Sequence, residues 1–188
     1  MKFINKFKSP NHNKRKTSKI EFIIIHYTAI SNLFDAINYL CDIKKKVSTH
    51  FVISQEGDIF RLVNEDQRAW HAGQSFWKNY TDINSMSIGI ELDFNPNGKN
   101  NKYSLKLIKS LIYLLNYLKK KYKIKNNCIL GHSDISPFRK IDPGNKFPWN
   151  KLVSKNLSFL PKKQNIKRKK ILEKHFSEKN INSKKKQV

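Results

Sequence analysis

Phe22-Ile23-Ile24-Ile25-His26-Tyr27-Thr28 is the stretch on which the fold turns. An uncharged apolar run, rich in β-branched residues, ends on an imidazole and a phenol. That is the pattern of a strand buried on both faces that delivers polar chemistry at its carboxyl end. A second short apolar stretch, Asn127–Leu130, ends the same way on Gly131-His132, and beyond it comes Arg139-Lys140-Ile141-Asp142-Pro143-Gly144. Two neutral imidazoles and one carboxylate, with a lysine two residues before the carboxylate, supply what a hydrolytic zinc site needs. In an extended segment residues i and i+2 face the same way, so Lys140 and Asp142 are expected to point together. Asp134 competes with Asp142 for the metal, although Ser133-Asp134-Ile135-Ser136-Pro137 suits a turn or cap. Cys128, four residues before His132, reads as an inert thiol in the buried strand.

Outward from these segments the periodicity alternates. Ile20–His26 is the first strand, and Ser31 or Asn32 caps a helix through about Asp42 with Leu33, Ala36, Ile37 and Leu40 at helical spacing. Thr49–Ser54 and Asp58–Val63 read as strands joined by a turn at Gln55-Glu56-Gly57, and Ser87–Leu92 as a further strand. Ser104 caps a longer helix whose apolar side is read as Leu105, Ile108, Leu111, Ile112, Leu115 and Leu118, with Lys119, Lys120 and Lys121 suiting its C-terminal dipole. After His132 the chain reads as loop. Strands alternating with helices point to one α/β domain.

At 188 residues the chain supports one well-cored domain. Its net charge of +24 would ordinarily raise nucleic acid or an anionic surface as partner. The charge is concentrated at the ends, however. Residues 1–19 hold seven basic residues and no acid, and residues 162–188 hold eleven against two, leaving +8 for residues 20–161. The expected division is a basic, partly ordered segment at 1–19, a catalytic domain at 20–160 and a disordered or loosely helical basic tail at 161–188. Such a tail can bind polyanions, but no motif for specific nucleic-acid recognition accompanies it. Cys41 and Cys128 lie far apart, in no pattern that suggests a disulfide or a structural zinc knuckle. The apolar stretch at Leu105–Leu118 is interrupted by Lys106 and Lys109 and falls short of a membrane span, and Met1–Pro10 lacks the apolar run of a signal peptide. A cytoplasmic protein is expected.

Several segments together resemble a known family, the zinc-dependent N-acetylmuramoyl-L-alanine amidases of the type-2 amidase fold, related to peptidoglycan recognition proteins. The segments are Ser9-Pro10-Asn11, Ile25-His26-Tyr27-Thr28, Val47-Ser48-Thr49-His50-Phe51, Arg68-Ala69-Trp70-His71-Ala72-Gly73, Asn84 through Leu92, Gly131 through Ile135 and Arg139 through Gly144. They run in family order across about residues 9 to 152. The resemblance implies a mixed central sheet flanked by helices, and hydrolysis of the amide between N-acetylmuramic acid, in ordinary or 1,6-anhydro form, and the L-alanine of the stem peptide. It implies zinc held by His26, His132 and Asp142, with Glu91 as catalytic carboxylate and Lys140 stabilising the tetrahedral intermediate. Peptidoglycan fragments are the implied partner, in cell-wall turnover or recycling.

Within the family the chain is similar both to small amidases that recycle 1,6-anhydro-muropeptides and to their lipoprotein relatives. Phe147-Pro148-Trp149 looks more like the latter. Ser54 and Gln55 stand where some recycling amidases carry peptide-reading arginines. His71, Trp70, His50, Asn84, Arg139 and Trp149 are candidates for contacting substrate. Packing, or support of a metal ligand, remains an alternative for His50 and His71, as does a lid for Trp77 and Trp149. The rival classes are a non-catalytic peptidoglycan-binding module and a polyanion- or nucleic-acid-binding protein.

Overall fold

The computed structural model describes residues 3–98 and 101–159. The isoleucine-rich run forms β2 (Phe22–Tyr27), after a short β1 (His12–Lys14). Helix α1 (Leu33–Cys41) follows, then β3 (Phe51–Ile53), β4 (Ile59–Arg61), β5 (Gln67–Ala69), a one-turn α2 (Ile83–Met86) and β6 (Ser87–Leu92). The long helix α3 (Leu105–Tyr122) leads to β7 (Ile129–Gly131), a one-turn α4 (His132–Ile135) and α5 (Trp149–Val153). Five strands form one sheet in the order β4-β3-β6-β2-β7, parallel except for β4, which returns antiparallel to β3. This is the mixed central sheet expected, and β2 is a central strand in it. Residues 22–26 are all buried, as a strand with a parallel neighbour on each side requires.

Helix α3 packs Leu107, Ile108, Leu111, Leu114, Leu115 and Leu118 into the core. This corrects the face read from sequence. Leu105 is 67% exposed, and Leu107 and Leu114 take the inner positions that the 3.6-residue period assigns beside Leu111 and Leu118. Ser104 caps the helix by accepting the Leu107 N–H, and Asn32 caps α1 by accepting from Phe34 and Asp35. The small Ser110 lets α3 approach the Gln55-Glu56-Gly57 turn, donating its hydroxyl to the Gly57 carbonyl at 2.6 Å. Gly57 has φ +90°, and a Cβ there would lie 2.8 Å from Ser110 Oγ, so both the turn and the close approach call for glycine.

The expected strand at Asn127–Leu130 is displaced. Asn126–Cys128 form a 3-10 turn, in which the Cys128 N–H bonds the Lys125 carbonyl, and the strand starts at Ile129. A polar Asn-Asn pair favours local bonding over a sheet ladder. Cys128 is buried there as a free thiol.

Composition sets residues 1–19 apart, yet from residue 3 onward the chain is bonded to the domain. Ile4 bridges Phe60, β1 pairs with β5 in a two-stranded sheet, and the Asn11 amide donates to the Asp42 and Val47 carbonyls. Arg15 is buried, and its guanidinium donates to the carbonyls of Glu65, Asn84, Ser85 and Ser87 at 2.8–3.1 Å. Burial lowers its pKa to about 10, which leaves it charged at neutral pH. The expected tail at 161–188 lies outside the described residues. Among the described residues no helix is long and apolar enough to cross a membrane.

The inner face of α3 can be tested directly. Leu111→Ala should cost about 2–5 kcal/mol in chemical denaturation, and Leu105→Ala within about 0.5 kcal/mol. Equal losses at both positions would contradict the orientation described.

Candidate active site

Three adjacent parallel strands end together. In the β2/β6 register His26 sits opposite Glu91, and in the β2/β7 register Ile25 sits opposite Gly131, so His132 leaves the sheet one residue later. The carboxyl ends of neighbouring parallel strands are where open α/β sheets place ligands. Here they carry an imidazole, a carboxylate and a second imidazole. The segment after α4 folds back so that Asp142 joins them, with the Ser133 N–H bonding the Asp142 carbonyl at 2.9 Å.

His26 Nδ1, His132 Nδ1 and Asp142 Oδ2 stand 3.0 Å from one another in each pairing. They form a buried group of donor atoms of the kind that holds a metal ion. His132 Nε2 lies 3.0 Å from the Ala72 carbonyl, which can only accept. The ring therefore carries its proton on Nε2 and turns a bare Nδ1 toward Asp142. A lone pair facing a carboxylate oxygen at this distance calls for a cation between them. Ligands of a tetrahedral zinc, bound at about 2.0–2.1 Å, lie about 3.3 Å apart, so the spacing suits such an ion with little movement. Two nitrogens and one oxygen favour zinc over magnesium or calcium, which prefer oxygen alone. The residues present fit the group.

A cavity of about 640 Å³ opens over this cluster, its walls including Glu91, Lys140, Arg139, His71, Tyr27 and Tyr39. Glu91 is only partly buried as a residue, yet its Oε2 is sealed from solvent and has no hydrogen-bond partner among the described residues. Lys140 and Asp142 line the same cavity, as the i, i+2 reading expects. Arg139 is tied down by hydrogen bonds to the Ala72 and Gln74 carbonyls, both at 2.8 Å. Asp134 stays outside the cluster, its carboxylate accepting the Gly131 N–H at 2.7 Å as a cap.

Other sequence candidates are placed elsewhere. His50 is fully buried: its Nδ1 accepts the Gly89 N–H and its Nε2 faces the Gln67 carbonyl, which holds the ring between strands. Asn84 is buried, and its Oδ1 accepts the N–H groups of His71 and Ala72. Trp70 donates its indole N–H to Asn13, and Trp149 packs edge-on against Phe147 at 4.7 Å. None of these four is among the residues that line the cavity. Gln55 is held by Asp93 and by Ser104, at the start of α3. The sequence reading missed Tyr39 and Lys45 of the cavity wall, because only the folded path of α1 and the turn after it brings them there.

Two glycines permit the close packing. A Cβ at Gly89 would lie 2.4 Å from His71 Cγ, and one at Gly131 would lie 2.7 Å from Pro143 Cδ. The imidazole of His71 is thus pressed on the backbone of β6, and the Asp142-bearing turn on the end of β7.

Burial sets the charge states. It lowers His26 to about 4 and His50 to about 3, and it holds His71 well below the ordinary imidazole value. It also pushes Glu91 up to about 8, with Asp142 adding to the rise and Lys140 opposing it. For Asp142 burial alone would raise the carboxyl, but the adjacent His132 and His26 imidazoles outweigh it and keep it well below the usual carboxylate range. The three lowered histidines bind protons more readily unfolded than folded, so metal-free stability should fall as pH drops from about 6.5 toward 4. Glu91 acts oppositely, since its contribution is complete below the unfolded carboxyl value and is lost as pH rises through about 8. Three imidazoles outweigh one carboxyl between pH 7 and 5. The metal-free protein should therefore melt at a lower temperature at pH 5 than at pH 7 in calorimetry, and a higher melting temperature at pH 5 would contradict these assignments.

Known proteins resemble this chain over most of its length. The family model described as N-acetylmuramoyl-L-alanine amidase matches residues 16–145. The N-acetylmuramoyl-L-alanine amidase AmiD of Escherichia coli K12 is 35% identical over 161 residues, covering 79% of this chain and 57% of AmiD, so the chain spans little more than half that relative's length. The 1,6-anhydro-N-acetylmuramyl-L-alanine amidase AmpD of Haemophilus influenzae is 36% identical over 166 residues, covering 78% of this chain and 88% of AmpD. A structure of E. coli AmiD in complex with the substrate anhydro-N-acetylmuramic acid-L-Ala-D-gamma-Glu-L-Lys superposes with a TM-score of 0.70 at 30% identity, covering 87% of this chain and 65% of that one. With the family model matching well over half its length, the chain belongs to the N-acetylmuramoyl-L-alanine amidase family.

Proposed function

We propose that this protein is a zinc-dependent amidase that hydrolyses the bond between the lactyl group of N-acetylmuramic acid and the L-alanine of a stem peptide. Soluble peptidoglycan fragments, the 1,6-anhydro form included, are the proposed substrates, in cell-wall recycling. The observation that carries this reading is the convergence of His26, His132 and Asp142 under a cavity that Glu91 and Lys140 also line. The substrate named for the AmiD complex supports the chemical class.

His26 Nδ1, His132 Nδ1 and Asp142 Oδ2 would hold the zinc. When bound, the metal supplies Lewis acidity, acidifying a water and polarising the scissile carbonyl. Glu91 takes the proton from the attacking water at its carboxylate. Without the metal, burial keeps Glu91 largely protonated at neutral pH; the charge of a bound zinc would lower its proton affinity and free the carboxylate to act as base. The proton it takes is then delivered to the departing amine of L-alanine. The Lys140 ammonium stands in the same cavity to stabilise the oxyanion as it develops. Tyr27, Tyr39 and Ile30 give the cavity an apolar flank against which a sugar ring or peptide side chain can lie. All five positions of the machinery are filled, so no observation favours a module that only binds.

Zinc-loaded protein incubated with a soluble anhydro-muramoyl peptide should release a peptide with a free N-terminal L-alanine, read by mass. Cleavage elsewhere in the peptide, or none, would overturn the reading, and a parallel incubation with intact sacculi separates fragment from polymer preference. Glu91→Gln and Lys140→Ala should each retain the metal but lose about a hundredfold or more in kcat. His26→Ala, His132→Ala and Asp142→Ala should lose both metal and activity. Full kcat in a folded Glu91→Gln protein would remove Glu91 from the mechanism.

A further inference from the structure

His71 is a buried imidazole at the cavity edge for which the proposed chemistry has no use, and its surroundings constrain it fully. Ser87 Oγ lies 2.6 Å from the Ile83 carbonyl, and because a carbonyl oxygen can only accept, the serine hydroxyl proton must point there. The same Oγ lies 3.1 Å from His71 Nε2, so with its single proton committed it accepts from an Nε2–H. A neutral imidazole has one N–H, which leaves His71 Nδ1 bare. That nitrogen is 3.0 Å from His26 Nε2, which must donate. His26 is therefore left with a bare Nδ1, turned toward His132 Nδ1 and Asp142 Oδ2.

We propose that His71 is a positioning residue: the chain Ile83 carbonyl, Ser87, His71 and His26 selects the His26 tautomer and ring orientation that present Nδ1 to the metal. The role rests on the zinc reading of the site. His71 itself has no freedom to shift. The backbone N–H groups of His71 and Ala72 both bond Asn84 Oδ1, and the His71 ring lies against Gly89, where a Cβ would come within 2.4 Å of Cγ. His71 and Ser87 are both buried, at 6% and 0% exposure, so water does not compete for these bonds. The second imidazole is oriented more simply, by the Ala72 carbonyl at His132 Nε2. A backbone carbonyl thus stands at the root of each ring's orientation, directly for His132 and through two side chains for His26. Partners of this kind govern ring direction and basicity in metal sites.

The test uses a near-isosteric pair. His71→Asn keeps an acceptor close to the position of Nδ1, whereas His71→Leu removes it at similar volume. In chelator competition, His71→Leu should bind zinc about 10–100-fold more weakly than wild type, and His71→Asn should recover most of that loss. Equal affinity for His71→Leu and wild type, or equal loss in both variants, would overturn the proposal. Long-range proton–nitrogen NMR of the wild-type protein reads the tautomers without any substitution. His71 should carry its proton on Nε2 with and without zinc, and zinc-loaded His26 should show a slowly exchanging Nε2–H. A proton on His71 Nδ1 would overturn the chain of donors even if zinc binds. Wild-type protein with the expected His71 tautomer but no zinc uptake would overturn the metal reading and, with it, the role assigned to His71. His26→Ala serves as the control for ligation.

Discussion

The parallel pairing of β2 between β6 and β7 is the constraint on which the site depends. Its register brings His26 level with Glu91 and one step from His132, so a single sheet edge holds the atoms that must meet. A one-residue slip would send alternate side chains to the opposite face and separate the two imidazoles. The register is held by apolar burial: Ile23, Ile24, Ile25, Ile88 and Ile90 are all fully buried. Burial of this kind contributes on the order of 1.5–3 kcal/mol per side chain. The apolar strands thus position the polar residues at their ends.

Around that edge the structure places buried polar groups where backbone atoms satisfy them. Arg15 carries its charge into the interior against the carbonyls of Glu65, of Asn84 and Ser85 in α2 and of Ser87 at the start of β6, and Asn84 accepts two N–H groups of the His71 segment. Unpaired, such groups would cost several kcal/mol each. Paired, they fix the loop that bears His71 and Ala72 against the sheet. That loop supplies the acceptors for the His26 and His132 rings, so N-terminal segment, loop and site form one connected hydrogen-bonded unit.

Much of this was legible in the residues. The β-branched run at Ile23–Ile25 and the helical spacing around Leu111 mark strand and helix because burial imposes those periods. His26, His132, Asp142, Glu91 and Lys140 were nameable from their motifs, and the structure brings all five to one cavity. Less legible was whatever depends on contacts between distant segments. β1 and β5 are three-residue strands with no alternating apolar pattern, and they exist because each pairs with the other. The rotation of α3 that buries Leu107 and exposes Leu105 is decided by what it packs against, since several apolar faces fit the sequence. Among the histidines, His50 and His71 look alike in sequence, but only the fold shows that one is held between strands while the other touches His26. Arg15 reads as one more charge of a basic segment until its four carbonyl partners are seen.

The metal assignment is the central claim, and zinc K-edge X-ray absorption of the purified, zinc-loaded protein tests it most directly. The account predicts a single shell of nitrogen and oxygen at about 2.0–2.1 Å, with outer scattering from two imidazoles and no sulfur at about 2.3 Å. A sulfur shell, or scattering from one or three imidazoles, would contradict the assignment of His26, His132 and Asp142 as the ligands.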